Sequence, residues 1–400
     1  MGRLGNVIRL CAGAFVILDL GLLAACAGLP RGHLVNPRAT VRDQADAVAT
    51  ASATARPLAN TPLPSPTSVP TSSRSRIGRV VSVTPTLAMT RRPDWRLVAT
   101  GLGNVQAVVV DPTNPEVVFA VGDAIYKSSD GGQHWVIELP DVHARSIAID
   151  AGGKHLLVGS GLGCARGTMG LVWRSTDGGT SWQQVGQGDL TGFAFDPVQP
   201  QHVFAGTCGG LMESVDGGNS WHRLSVPIAG YDGSFVAISR DAREVVGALT
   251  SEGGTVKLVR STDGGKHFVA LTSPLLWGRV SVILGGGGRI TAISNGGIVT
   301  SPDGGLSWAS FDQGLSSVTQ SNAIDRFKVG VARPNPKVPT IIYLAATDGL
   351  YRYGPDTKQW QLFGRGLVGP VVAFDVAVTP RSTVFYAGTG TGLFRFDVGR

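Results

Sequence analysis

Apolar residues fall in short runs closed off by glycine, proline or aspartate. Val105–Val110 leads through Asp111-Pro112-Thr113-Asn114-Pro115 to Val117–Val121 and then to Ile125–Ser128. Phe193–Phe195, Asp196-Pro197, His202–Gly206 and Leu211–Ser214 follow in the same order. Such runs are rich in β-branched and aromatic residues and are separated by turn formers, so each reads as a β-strand. The third strand of each set leads into a fourth through one recurrent octapeptide.

That octapeptide is Ser-x-Asp-Gly-Gly-x-x-aromatic, and it occurs at Ser128–Trp135, Ser175–Trp182, Ser214–Trp221, Ser261–Phe268 and Ser301–Trp308. It has the makings of a tight hairpin turn. The Gly-Gly pair supplies positive φ. The carboxylates of Asp130, Asp177, Asp216, Asp263 and Asp303 are placed to accept from backbone N–H groups of the turn. The aromatics Trp135, Trp182, Trp221, Phe268 and Trp308 open the return strand and can pack on a neighbouring sheet. They are separated by 47, 39, 47 and 40 residues. A period near 40–50 with strand-like content predicts four-stranded propeller blades.

Two further units keep the frame without a complete octapeptide. Phe327–Ala332, Ile341–Ala345 and Leu350–Tyr353 lead to Pro355–Trp360, while Val371–Val378, Val384–Gly388 and Leu393–Phe396 give three strands and then stop. Asp94-Trp95-Arg96-Leu97-Val98 resembles the back half of an octapeptide unit and supplies the missing fourth strand. The expectation is an all-β, seven-bladed propeller over residues 93–400, its last blade closed by the strand near Trp95. Closure of this kind removes an exposed sheet edge.

The octapeptides resemble those of the Asp-box, or bacterial neuraminidase repeat, propellers. That superfamily includes sialidases, xyloglucan-specific endoglucanases, sortilin-type receptors and the photosystem II assembly and stability factors. The resemblance covers about three-quarters of the chain and implies the fold. It says little of function, because in these families the box lies at the blade periphery, away from the site.

Residues 1–25 read as a targeting segment. Arg3 and Arg9 precede an apolar stretch from about Leu10 to Leu23, interrupted by Asp19, and Leu23-Ala24-Ala25-Cys26 resembles a bacterial lipobox. Cys26 is then the expected site of lipidation, tethering the protein without spanning the membrane. An ordinary secretory peptide or an uncleaved anchor are the alternatives. Residues 26–92 are rich in Pro, Thr, Ser, Ala and Arg and read as a disordered stalk. Seven arginines from Arg31 to Arg79 stand against Asp43 and Asp46, so most of the formal charge of +7 belongs to this stalk. The propeller is close to neutral, which argues against a nucleic-acid partner.

Cys164 and Cys208 both follow the second strand of their blades, and the blades are adjacent. In an exported protein they are expected to form a disulfide, the alternative being two buried free thiols. The long loops Gly159–Gly170, Leu224–Gly233, Leu271–Arg279 and Ser310–Arg326 lie where propellers build their functional face. With the loops that join second to third strands, they offer Arg166, Tyr231, Asp232, Glu252, Trp277, Arg279, Asp325, Arg326 and Asp348 as candidate binding residues.

A sialidase needs an arginine triad, a Tyr–Glu pair and an aspartate acid/base. Its Arg-Ile-Pro motif does not occur here, and none of the five glutamates can be paired with a tyrosine from sequence. A xyloglucanase site needs facing carboxylates between two propellers, and this chain encodes one ring. No metal-ligand cluster or phosphate loop is legible, so no metal or cofactor is expected. The reading is a monomeric, non-catalytic propeller that binds a protein or glycan of the cell envelope, with a secreted glycoside hydrolase as the alternative. Asp177→Ala is expected to cost about 1–3 kcal/mol through lost turn hydrogen bonds. Trp182→Ala is expected to cost about 3–5 kcal/mol through lost packing. Unchanged melting temperatures in both variants contradict a structural role for the octapeptide.

Overall fold

The computed structural model describes residues 81–82, 94–160, 170–272, 276–278, 280–295, 297–315, 331–367 and 369–399. Cys26 and the targeting segment lie outside the described residues, as do most of the expected stalk, Cys164, Arg166, Arg279, Asp325 and Arg326.

Seven antiparallel sheets succeed one another along the described chain. Their first strands are Ala107–Val110, Ser146–Ile149, Thr191–Phe195, Asp232–Ile238, Val280–Leu284, Val331–Pro334 and Val371–Val378, and these number blades 1 to 7. Each first strand touches the next, and that of blade 7 touches that of blade 1, which closes a ring. The fold is a seven-bladed β-propeller, as the repeat predicts.

The last blade takes three strands from the C-terminus and one, Arg96–Ala99, from the start of the domain. Arg96 lies opposite Arg395, Leu97 opposite Phe394 and Ala99 opposite Leu393. Trp95, 1% exposed, anchors the join by packing on Phe385 and Phe396 with ring centroids 6.5 and 5.5 Å away.

Two short strands are additions to the sequence reading. Val81 and Ser82, inside the segment expected to be an unstructured stalk, pair with Trp135 and His134 along the outer strand of blade 1. Leu276 and Trp277, read as loop, pair with Val256 and Thr255 in blade 4.

The five octapeptides share one geometry. The first serine Oγ donates to the aspartate Oδ1 at 2.7–2.9 Å and accepts the N–H of the second glycine at 2.7–2.9 Å. The same Oδ1 accepts the backbone N–H four residues on at 2.9–3.0 Å. Oδ2 meets the side chain of that residue, which is His134, Ser181, Ser220, His267 or Ser307, at 2.5–2.6 Å. A carboxylate with this many donors is stabilised in its charged form. Burial pushes the Asp177 and Asp216 carboxyls up, but their serine and backbone donors outweigh it and hold both at about 2. At Asp303 the bonds from Ser307 and Ser301 do the same, also to about 2.

Each turn is also a contact between blades. The second glycine has positive φ and faces an apolar side chain of the preceding blade. A Cβ on Gly265 would lie 2.6 Å from Phe204, and one on Gly218 would lie 2.6 Å from Leu157. The residue before the first serine reaches forward to the next turn. Lys127 Nζ donates to Gly178 O at 2.7 Å, Arg260 to Gly304 O at 3.2 Å and Arg395 to Gly131 O at 3.1 Å. Arg174 donates to the Asn219 side chain at 3.3 Å. At the closing seam Arg395, 6% exposed, also binds both Glu116 carboxylate oxygens at 2.9 Å, together with Asp397 and the Tyr386 hydroxyl.

Trp135 is fully buried, whereas Trp182 is only half-buried. The full penalty of about 3–5 kcal/mol therefore belongs to Trp135→Ala, and Trp182→Ala falls below it. Gly265→Ala combines unfavourable φ with a clash against Phe204, and it should lower stability by more than the roughly 1 kcal/mol a strained alanine alone costs. Denaturant melts of the two tryptophan variants and of Gly265→Ala check these orderings.

The octapeptide aspartates also set an acid limit. Their native pKa lies below the unfolded value of about 3.9, so their contribution is complete above that value and is lost as pH falls toward about 2. Stability should fall between about pH 4 and 2, with a shallower slope in Asp177→Asn. A melting temperature flat across that interval contradicts this.

Candidate binding cavity on the loop face

In an up-and-down four-stranded blade, the second-to-third loops and the crossings between blades share one face. The octapeptide turns and the first-to-second turns lie on the other. The second set is occupied with holding the chain. Asp111 and Asp196 each accept backbone N–H groups two and three residues on, and Asn335 does likewise. The repeated Asp-Pro is thus a turn device.

On the loop face lies a cavity of about 640 Å³, within the range of small-ligand sites. Its walls come from the Glu252–Gly254 loop of blade 4, the crossing at Trp277–Gly278, Ile293–Asn295 of blade 5, Val331 of blade 6 and Pro370–Val372 of blade 7. The extra strand positions Trp277. Leu276, 1% exposed, is sunk in the core of blades 4 and 5 while Trp277 stays half-buried at the rim. Gly278 has φ +72°, and its N–H donates to Gly254 O at 2.7 Å. A Cβ there would lie 2.5 Å from Asn295 Nδ2. The Asn295 N–H donates to Trp277 O at 3.2 Å, which completes the lock.

The lining is mostly valine, isoleucine, proline and glycine backbone. Glu252 is the only charged residue among the described residues that line the cavity, and it is exposed. It has no ion-pair or hydrogen-bond partner among the described residues.

A second cavity, of about 370 Å³, is lined by first-strand residues of all seven blades and opens among the first-to-second turns. There Asp375 Oδ1 lies 3.5 Å from Arg333 Nε, and Oδ2 accepts the Val110 N–H at 2.9 Å, joining blade 7 to blade 1. Burial pushes the Asp375 carboxyl up, against the opposing charge of Arg333. Asp375 is the only carboxylate described in this channel.

Of the candidate residues, Glu252 and Trp277 come together. Tyr231 is half-buried beneath the Lys257 ammonium, 5.1 Å from its ring centroid. Asp232 accepts the Gly209 N–H at 2.6 Å, bridging blade 4 to the blade 3 loop. Asp348 accepts the Tyr351 hydroxyl at 2.7 Å. None of these three lines the cavity. Sequence reading missed Gly278, Asn295 and Val371, whose only signal is a place at the loop end of a strand. Cys208 is disulfide-bonded. Its expected partner, Cys164, lies outside the described residues.

No family model matches this chain, and no curated protein matches it. Solved structures of the same fold do. The xyloglucanase of the GH74 family from Xanthomonas campestris aligns with TM-score 0.56 and 17% identity over 75% of this chain and 52% of its own. An ancestral GH74 enzyme aligns with TM-score 0.53 and 17% identity over 73% of this chain and 47% of its own. The chain thus spans about half the length of these enzymes. YCF48 bound to a D1 peptide aligns with TM-score 0.51 and 20% identity over 77% of this chain and 98% of its own. At these identities the shared property is the propeller fold.

If Cys208 is bonded within the chain, alkylation without prior reduction should leave its mass unlabelled, and reduction should expose it. Labelling of Cys208 in the unreduced, unfolded chain overturns the intrachain bridge.

Proposed function

We propose that this protein is an exported, lipid-anchored propeller that binds a protein or glycan partner on its loop face and does no chemistry on it. In this reading it acts as a monomer, without metal, cofactor or nucleic acid. The observation that carries it is the loop-face cavity, which pairs one aromatic rim residue with one carboxylate. A glycosidase of either stereochemistry needs two carboxyl groups facing one bond. Neither of these two cavities supplies them among the described residues, and in a third, of about 330 Å³, Glu244 is held by Arg260 and Asp241 accepts the Ser239 hydroxyl. The neighbouring fold of YCF48 holding a D1 peptide supports a binding role for a single ring of this size.

The anchor reading rests on the lipobox-like Leu23-Ala24-Ala25-Cys26 of the sequence. Ser82 lies beside His134 in the blade 1 octapeptide, and Trp95 stands at the octapeptide end of blade 7.

The test is a glycan and peptide array probed with the purified chain, beside a fluorogenic glycoside panel. Retention of a ligand by the wild type, its loss in Trp277→Ala and no turnover are expected. Turnover abolished by Glu252→Gln would establish the hydrolase instead, and equal retention by Trp277→Ala would remove the cavity from the account.

A further inference from the structure

The chemistry of the loop-face cavity narrows the partner, on the reading that this cavity is a binding site. A glycan presents many hydroxyls and requires several polar side chains in return. Here the walls are Val280, Ile293, Val331, Pro370 and Val371, with glycine backbone between them. Gly254 O and Trp277 O already accept backbone N–H groups, and the Ser294 hydroxyl faces Gly297 O at 3.5 Å. What is left is a mostly apolar trough with an indole at its rim, one carboxylate and two short polar side chains, Ser281 and Asn295, too few to answer the hydroxyls of a sugar ring.

A lysine or arginine side chain matches that set. Its methylene stem lies against apolar surface while its charged end reaches outward. The cation can sit over an indole face, and Trp is the strongest of the aromatic partners. Glu252 offers the opposite charge, and on an exposed loop its capture costs less desolvation than a buried pair would. Gly253 and Gly254 beside it carry no side chain to block a polypeptide backbone. We infer that the cavity between blades 4, 5, 6 and 7 receives a basic side chain of a partner polypeptide, with Glu252 as its counter-charge and Trp277 as its stacking surface.

Three capped peptides test this by isothermal titration and tryptophan fluorescence on the full chain: acetyl-Gly-Arg-Gly-amide, its lysine counterpart and its citrulline counterpart. Citrulline keeps the shape of arginine and removes the charge. The arginine and lysine peptides should bind and quench fluorescence, and the citrulline peptide should bind about ten-fold more weakly. Glu252→Gln should bring the basic peptides to the citrulline level with an unchanged melting temperature, because Glu252 is exposed.

Equal affinity for arginine and citrulline, or binding unaffected by Glu252→Gln, overturns the inference. So does failure of all three peptides to bind at millimolar concentration. A neutral oligosaccharide bound by the wild type and lost in Trp277→Ala would also overturn it, while leaving the loop-face binding function standing. Self-association that disappears in Glu252→Gln, without peptide binding, would assign the cavity to a second copy of the chain and overturn it as well.

Discussion

Blade is held to blade where a side chain is missing. The second glycine of each octapeptide lets the turn lie directly on the preceding sheet, with Val98, Phe119, Leu157, Phe204 or Leu271 filling the space a Cβ would need. Positive φ and close approach are required at the same residue, and glycine alone meets both at little cost. The aspartate ahead of it fixes the turn's backbone, and at three of the five turns a cation from the previous blade's third strand ties down the first glycine's carbonyl. The octapeptide is therefore both a hairpin turn and an interblade clasp at five of the seven junctions of the ring.

Much of this was legible in the sequence. Repetition made the blades visible, and the missing fourth strand of the last unit pointed back to Trp95, because an unpaired edge is costly and one candidate strand remained. Lys127, Arg174, Arg260 and Arg395 were also readable in principle, since each stands directly before the first octapeptide serine or its counterpart in blade 7. Their significance depends on the spatial neighbour, which periodicity does not reveal. The pairing of Val81 and Ser82 was hidden because a two-residue strand in a proline-rich, serine-rich setting leaves no pattern.

The cavity was only half legible. Trp277 and Glu252 stood out as an aromatic and an acid in loops, but Tyr231, Asp232 and Asp348 carried the same signal and turned out to serve local structure. Composition ranks such residues alike. What separates them is whether a neighbouring backbone or side chain already answers the polar group, as Gly209 does for Asp232 and Tyr351 does for Asp348. The two faces of the ring divide the work accordingly. The octapeptide carboxylates are satisfied from within, while Glu252 on the loop face has no partner among the described residues.

The seventh blade draws its strands from opposite ends of the domain, and this has a consequence for biogenesis. Arg96 must wait for Arg395 before its hydrogen bonds can form, so a strand synthesised before the first strand of every blade is among the last to settle. A polypeptide that leaves the ribosome amino end first carries Trp95 exposed until the final hairpin arrives. A nascent chain cut short by the final hairpin has no partner for that indole, and its ring stays open.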